Sequence, residues 1–239
     1  LAERGELDID QPLSGYLSEF SIRSRFDMVA KPITVRSVLN HHGGLPTDLN
    51  KGMWSSQPYT HVVAEMRNEY AAFPPDLVFS YSNVGYTLLG HMVERVSRQS
   101  YSDYIQRHIL GPLGMEDSGM SPLPPSTPNL ANGYRDGHKA EILPIRDLPA
   151  YGLNTSAVDM GRLLQAILAG GSLDGTRIIG KETLEEMFEP QNRNISLDLD
   201  IVNGLGWFLE LDSIAGAGAV IRHGGTTLSY GGEVIILPR

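Results

Sequence analysis

Cysteine is absent from the 239-residue chain, which excludes disulfides, thiolate zinc sites and cysteine nucleophiles. Positive charge is scarce: 19 Lys and Arg stand against 28 Asp and Glu, and the net charge is −9. The basic residues are scattered, so the clustered positive field that a nucleic-acid surface needs is missing. No apolar run approaches the eighteen or so residues of a membrane-spanning helix. Metal-ligand patterns are also lacking. The seven histidines share no ligand spacing, there is no His-Glu-x-x-His, and Asp198-Leu-Asp200 lacks the other positions of a calcium loop. No cofactor or metal site is expected. The adjacent His41 and His42 should point apart, one packed and one solvated.

What is present suits a globular protein: 41% apolar and 20% charged residues, enough for a sizeable core. The chain reads as cut at both ends. Leu1–Arg4 with Gly5 looks like the last turn of a helix with a glycine stop, and Glu233 to Pro238 like a terminal strand in need of partners. Thr34 predicts an N-cap for a short helix over 34–40, and Tyr59 to Tyr70 an amphipathic helix. Val84, Leu88, Leu89, Met92, Val93 and Val96 recur at helical spacing. A further helix is expected near 102–110, another from Ser156 to Ala169 before Gly170-Gly171, and one over 182–188. The Pro- and Gly-rich stretch 111–150 reads as a long ordered loop of the kind that walls a site. Three strands follow, Gly204–Leu211, Ala219–His223 and Glu233–Leu237, joined by glycine-rich turns. Helices first and strands last is an α+β layout, a helical region over 1–200 beside an antiparallel sheet over 201–239.

Two motifs fail on chemistry. Gly175 to Lys181 nearly spells a phosphate loop, but Glu182 stands where a magnesium-binding hydroxyl is required. No serine sits in Gly-x-Ser-x-Gly. Two others survive. In Tyr81-Ser82-Asn83, at the entry to the strongest helix, residues i and i+2 project to one side, so a phenol and an amide share a cleft. A phenol near pKa 10 is a base at neutral pH only beside positive charge. In His223-Gly224-Gly225-Thr226, at a strand end, the glycines admit a ligand close to the backbone, and free N–H groups suit an oxyanion.

In this order the motifs resemble the serine β-lactamase and penicillin-binding superfamily, which includes class C β-lactamases, D-Ala-D-Ala carboxypeptidases, D-aminopeptidases and β-lactamase-like esterases. Its signature is Ser-x-x-Lys, then Tyr-x-Asn, then Lys/His-Thr/Gly-Gly. Four further blocks are similar: Ile33 to Pro46 (ITVRSVLNHHGGLP), Pro112-Leu-Gly-Met115, Gly152 to Met160 (GLNTSAVDM) and Gly204-Leu-Gly-Trp207. The resemblance implies the β-lactamase/DD-peptidase-like fold, incomplete here, and acyl-enzyme chemistry on a small ester, amide or β-lactam. Tyr81, Asn83 and His223 would be catalytic, and Gly224, Gly225 and Thr226 would bind substrate or its oxyanion. Envelope or secreted placement is common in such proteins. One departure is severe. Met28, Asp48, Asp136 and Ile178 stand three residues before the four lysines, so no Ser-x-x-Lys exists in these residues. The resemblance places it upstream, about three turns before the end of the helix that Leu1–Arg4 would close. Histidine for lysine at 223 and glycine for threonine at 224 weaken a carboxylate contact, which ranks esters first, D-amino-acid peptides second and β-lactams third.

Overall fold

A computed structural model describes residues 1–26, 31–123, 127, 130–211, 214 and 218–237. Pro238 and residues 124–126, 128 and 129 of the long loop lie outside these.

Four helices and one sheet carry the site. Helix α1 (Val35–Leu39) starts on a capping box: Ser37 N–H donates to Thr34 Oγ1 at 3.1 Å, and Thr34 N–H to Ser37 Oγ at 3.0 Å. Helix α2 (Asn83–Ser97) starts on Ser82, whose Oγ accepts Gly85 N–H at 2.9 Å, and it ends at Arg98 in the left-handed region. Helix α3 (Ala157–Leu168) is capped by Ser156, and helix α4 (Lys181–Phe188) follows a tight hairpin. The apolar stripe of α2 packs with α1 and neighbouring segments in a core of Val35, Val38, Leu45, Val62, Met66, Val84, Leu88 and Met92. At about 25 cal/mol per Å² of apolar surface, this burial is the main stabilising contribution of the helical region.

The Tyr59–Tyr70 expectation needs correction. The segment breaks into a 3-10 turn Tyr59–His61, one α-turn Val62–Glu65 and a second 3-10 turn Met66–Asn68. Burial of Val62, Val63 and Met66 holds it in place, and tertiary packing overrides regular geometry.

Strands β1 (Phe208–Glu210), β2 (Val220–Thr226) and β3 (Gly231–Ile236) form an antiparallel sheet in the order β1-β2-β3. Ile221, Leu209 and Ile236 bury against Ile167 of α3 and Leu184 of α4. Two sequence expectations change here. The first strand is shorter, because Gly204–Trp207 turns instead: Gly204 N–H donates to Trp207 O at 2.8 Å, and Gly206 N–H to Leu39 O at the end of α1 at 3.1 Å. The second is longer. Gly224, Gly225 and Thr226 pair opposite Glu233, Gly232 and Gly231, so they lie within β2 rather than in a turn after it. The glycines opposite one another add no side-chain bulk, and the reversal falls at residues 227–230.

No helix among the described residues is long and apolar enough to cross a membrane.

Candidate active site

Phe79 to Ser82 approaches α2 as an extended segment fastened to the end of α1. Ser80 N–H donates to His41 O at 2.8 Å, and Ser82 N–H to His41 Nδ1 at 3.1 Å. His41 can face back on this segment because its own backbone is left-handed (φ 60°). Between the two bonds the Tyr81 ring lies over the His41 ring, centroids 4.2 Å apart. The far side of Tyr81 meets the sheet, with Phe208 parallel at 6.4 Å and His223 at 6.4 Å. Trp207 stands edge-on to His223. Tyr81 and His223 thus meet from the entry of one helix and the middle of one strand.

Asn83 sits in a small polar cluster. Its Nδ2 donates to Asp48 Oδ1 at 3.1 Å and to the Tyr151 hydroxyl, and that hydroxyl donates to the same Asp48 oxygen at 2.8 Å. The Asp48 loop is clamped from both sides. Thr47 O accepts from Asn83 N–H at 2.9 Å, and Pro46 O from Ser82 Oγ at 2.6 Å. On the other side Arg146, fully buried, donates to Leu49 O at 3.0 Å and Lys51 O at 2.8 Å and pairs with buried Asp147. Asp147 precedes the turn Leu148–Tyr151, which delivers Tyr151.

Gly224, Gly225 and Thr226 are exposed. Pairing with β1 stops at Phe208 opposite Arg222, so from His223 onward β2 has one edge bonded to β3 and one edge left open among the described residues. The sequence reading of these N–H groups as free after a strand end is therefore corrected. Alternate N–H groups of an antiparallel strand face alternate edges, and only those on the open edge remain available to a ligand.

The electrostatics lean negative. Burial, then the Asp48 charge, pushes the Tyr81 phenol above its ordinary value. Burial and the hydrogen bond to Asp48 do the same to Tyr151. Burial pushes His223 down, so it is neutral at pH 7. His41 falls to about 3 through burial, with smaller contributions from His223 and His42. No cation among the described residues faces Tyr81 closely enough to lower it. Nor do these residues hold a group of three or more His, Asp or Glu side chains that fits a metal.

A family model, Beta-lactamase, matches residues 1–239. The chain belongs to the beta-lactamase family. Penicillin-binding protein 4 of Amycolatopsis lactamdurans is 27% identical over 192 residues, covering 75% of this chain and 49% of that protein. The octameric penicillin-binding protein homologue from Pyrococcus abyssi superposes with a TM-score of 0.80 at 25% identity, over 100% of this chain and 55% of that one. A beta-lactamase/D-alanine carboxypeptidase from Yersinia pestis, complexed with citrate, gives 0.76 at 20% identity, over 100% and 69%. The fold is therefore the β-lactamase/penicillin-binding fold, helices with antiparallel sheet. The chain spans about half the length of the curated relatives it matches.

Within this beta-lactamase family chain, sequence reasoning missed three participants. Asp48 lies two residues beyond the ITVRSVLNHHGGLP block, and Tyr151 one residue before GLNTSAVDM; adjacency to those blocks was the only signal. The third is a buried pair. Both histidines are buried, which corrects the expectation of one solvated ring. His42 Nδ1 lies 2.8 Å from Asn40 O, and its Nε2 lies 2.7 Å from Asp198 Oδ2. Asp198 also accepts Phe79 N–H at 2.6 Å, two residues before Tyr81. This carboxylate, dismissed as a calcium ligand, fastens the base of the site.

Proposed function

We propose that the protein containing this chain is a serine hydrolase that works through an acyl-enzyme on small esters or amides. The observation that carries the reading is the approach of the Tyr81 and His223 rings to 6.4 Å, with Asn83 bonded to the Asp48 whose charge acts on Tyr81, in a chain of the beta-lactamase family. Its nucleophile is a serine of a Ser-x-x-Lys upstream of Leu1. The serine Oγ attacks the carbonyl carbon while its proton passes to the Lys–Tyr81 pair. The oxyanion is met by the serine N–H and by a backbone N–H of the open β2 edge, with Thr226 assigned that role. Tyr81 returns the proton to the leaving group, and water then resolves the ester. Burial and Asp48 favour the protonated Tyr81 phenol, so the lysine ammonium has to offset both before the phenol can give up its proton and act as a base. The lysine and phenol titrate as one unit. Asn83 orients substrate or lysine. Residues 1–239 alone hold no such serine and should turn over nothing by this route. Neutral His223 offers no fixed cation to a substrate carboxylate, which ranks esters above D-amino-acid peptides and β-lactams.

The test is hydrolysis of short p-nitrophenyl esters by the full-length protein, with intact-mass detection of the acyl-enzyme. Tyr81→Phe should lower kcat/KM by about a hundredfold or more. An unchanged rate removes Tyr81 from proton transfer. A coding region without Ser-x-x-Lys before Leu1 turns the protein into a binding fold.

A further inference from the structure

His42 and Asp198 lie in a closed ring of buried polar groups. His42 Nε2 is 2.7 Å from Asp198 Oδ2, and Asn192 Nδ2 donates to that same oxygen. Asn192 Oδ1 accepts Asn203 N–H at 3.2 Å, and Asn203 Nδ2 donates to Asn40 O, which lies 2.8 Å from His42 Nδ1. The ring ties the end of α1 to the loop over 192–198 and to the approach to β1. The side chains of His42 and Asp198 are 0% and 1% exposed, so neither can meet a substrate. Nor is stability a sufficient account of them, because apolar groups of similar volume commonly do as well as a buried charged pair. What a paired polar network does supply is a fixed geometry. Its outlet toward the site is Phe79, whose N–H donates to Asp198 Oδ1 at 2.6 Å. Ser80 N–H and Ser82 N–H are already taken by His41. Residues 41 and 42 therefore grip the segment at three N–H groups, and Asp198 is what extends the grip to Phe79. The Phe79 ring also stands edge-on to His41 and Phe208, each at 5.7 Å, and Phe208 lies parallel to Tyr81. A shift at Phe79 thus reaches Tyr81 twice, along the chain and through Phe208.

We propose that Asp198, partnered by His42, is a positioning residue for Tyr81: through Phe79 it fixes the place from which the phenol moves its proton during acyl transfer. The inference rests on the hydrolase reading above and adds to it two residues that touch no substrate. A general acid or base works only within hydrogen-bond reach of the proton it moves, and misplacement by about 1 Å can cost about a hundredfold. Binding asks less of the same phenol, so loss of the grip falls on kcat and leaves KM nearly unchanged.

The experiment uses the full-length protein and short p-nitrophenyl esters, with thermal melts confirming that each variant is folded. Asp198→Asn keeps the shape of the side chain and an acceptor for Phe79 N–H, but turns an NH2 into the ring. It should lower kcat by about tenfold or more and leave KM nearly unchanged. His42→Gln, which can still donate to Asp198, should retain more kcat than His42→Leu, which cannot. The deciding comparison places Asp198→Asn in a Tyr81→Phe background. There its cost should shrink to about twofold or less, because the group being positioned is gone. An unchanged kcat in Asp198→Asn overturns the proposal and leaves the hydrolase standing. So does an equal loss with and without the Tyr81 hydroxyl, which is what a merely structural role gives. If Asp198→Asn does not fold, His42→Gln, with and without the Tyr81 hydroxyl, makes the same comparison. No turnover and no acyl-enzyme from the wild type removes the hydrolase reading itself, and the positioning role with it.

Discussion

His41 combines three properties rarely found in one residue: a left-handed backbone, near-complete burial and a ring nitrogen that accepts a main-chain N–H. Its low pKa has a consequence for stability. A base whose folded value, about 3, lies below its unfolded value, 6.5, binds a proton more readily when unfolded. This contribution is complete above the unfolded value and is lost as pH falls from there toward the folded one, by about 1.4 kcal/mol per pH unit. The carboxylates held low by their partners, Asp10 by the Arg36 guanidinium among them, lose their contribution only further down the scale. Urea midpoints should therefore begin to fall below about pH 6.5. His41→Asn, which tolerates the left-handed backbone, should flatten the slope in that first unit or two while lowering the plateau. An unchanged slope would mean that another group controls it. Acid sensitivity of stability is expected here from a ring that is almost wholly buried.

At the scale of elements, α2 is held where another approaches it closely. A Cβ on Gly90 would lie 2.2 Å from Pro149 Cγ, so this helix can receive the Leu148–Tyr151 turn only at a glycine. The contact sets the depth at which the Tyr151 hydroxyl reaches Asp48. Gly90→Ala should cost about 1–3 kcal/mol in denaturant unfolding, despite alanine's better helix propensity. It should also reduce turnover by the full-length enzyme, because Tyr151 is displaced from the Asn83–Asp48 cluster. A gain in stability would show that Pro149 can retreat freely. Helix α2 itself was legible, because its stripe and its Ser82 cap are local signals. The broken 59–68 segment was not, since the packing of Val62, Val63 and Met66 decides its path. Neither was the extension of β2 through Thr226, which depends on glycines in a strand that follows it.

Across the whole molecule, Arg146 joins three segments distant in sequence: the loop after Pro46, the turn bearing Tyr151, and Glu65 at 3.2 Å. It sits at the end of a stretch, 111–150, whose composition suggested only a long loop. Arg146→Met should cost about 3–5 kcal/mol in urea unfolding, because Asp147 is left buried without its partner. Arg146→Met with Asp147→Leu should recover much of that loss, since an apolar pair leaves no charge unmatched. If the double variant is as unstable as the single one, hydrogen bonds to Leu49 O and Lys51 O outweigh the ion pair. In either case the loss of the clamp should loosen Asp48 and lower activity in the full-length protein more than it lowers the melting temperature.

Tyr81, Asn83 and His223 could be proposed from the chain alone, because each lies in a short block whose order is itself a pattern. The α+β layout followed from periodicity and caps, which act over a few residues. Asp48, Tyr151, Arg146 and the His42–Asp198 pair could not be named so. Their chemistry comes from partners as many as 156 positions away, and no local pattern marks a carboxylate as buried, paired or unpaired. Which carboxylate keeps a cation and which meets only neutral donors is decided only when burial removes water and the fold chooses what takes its place.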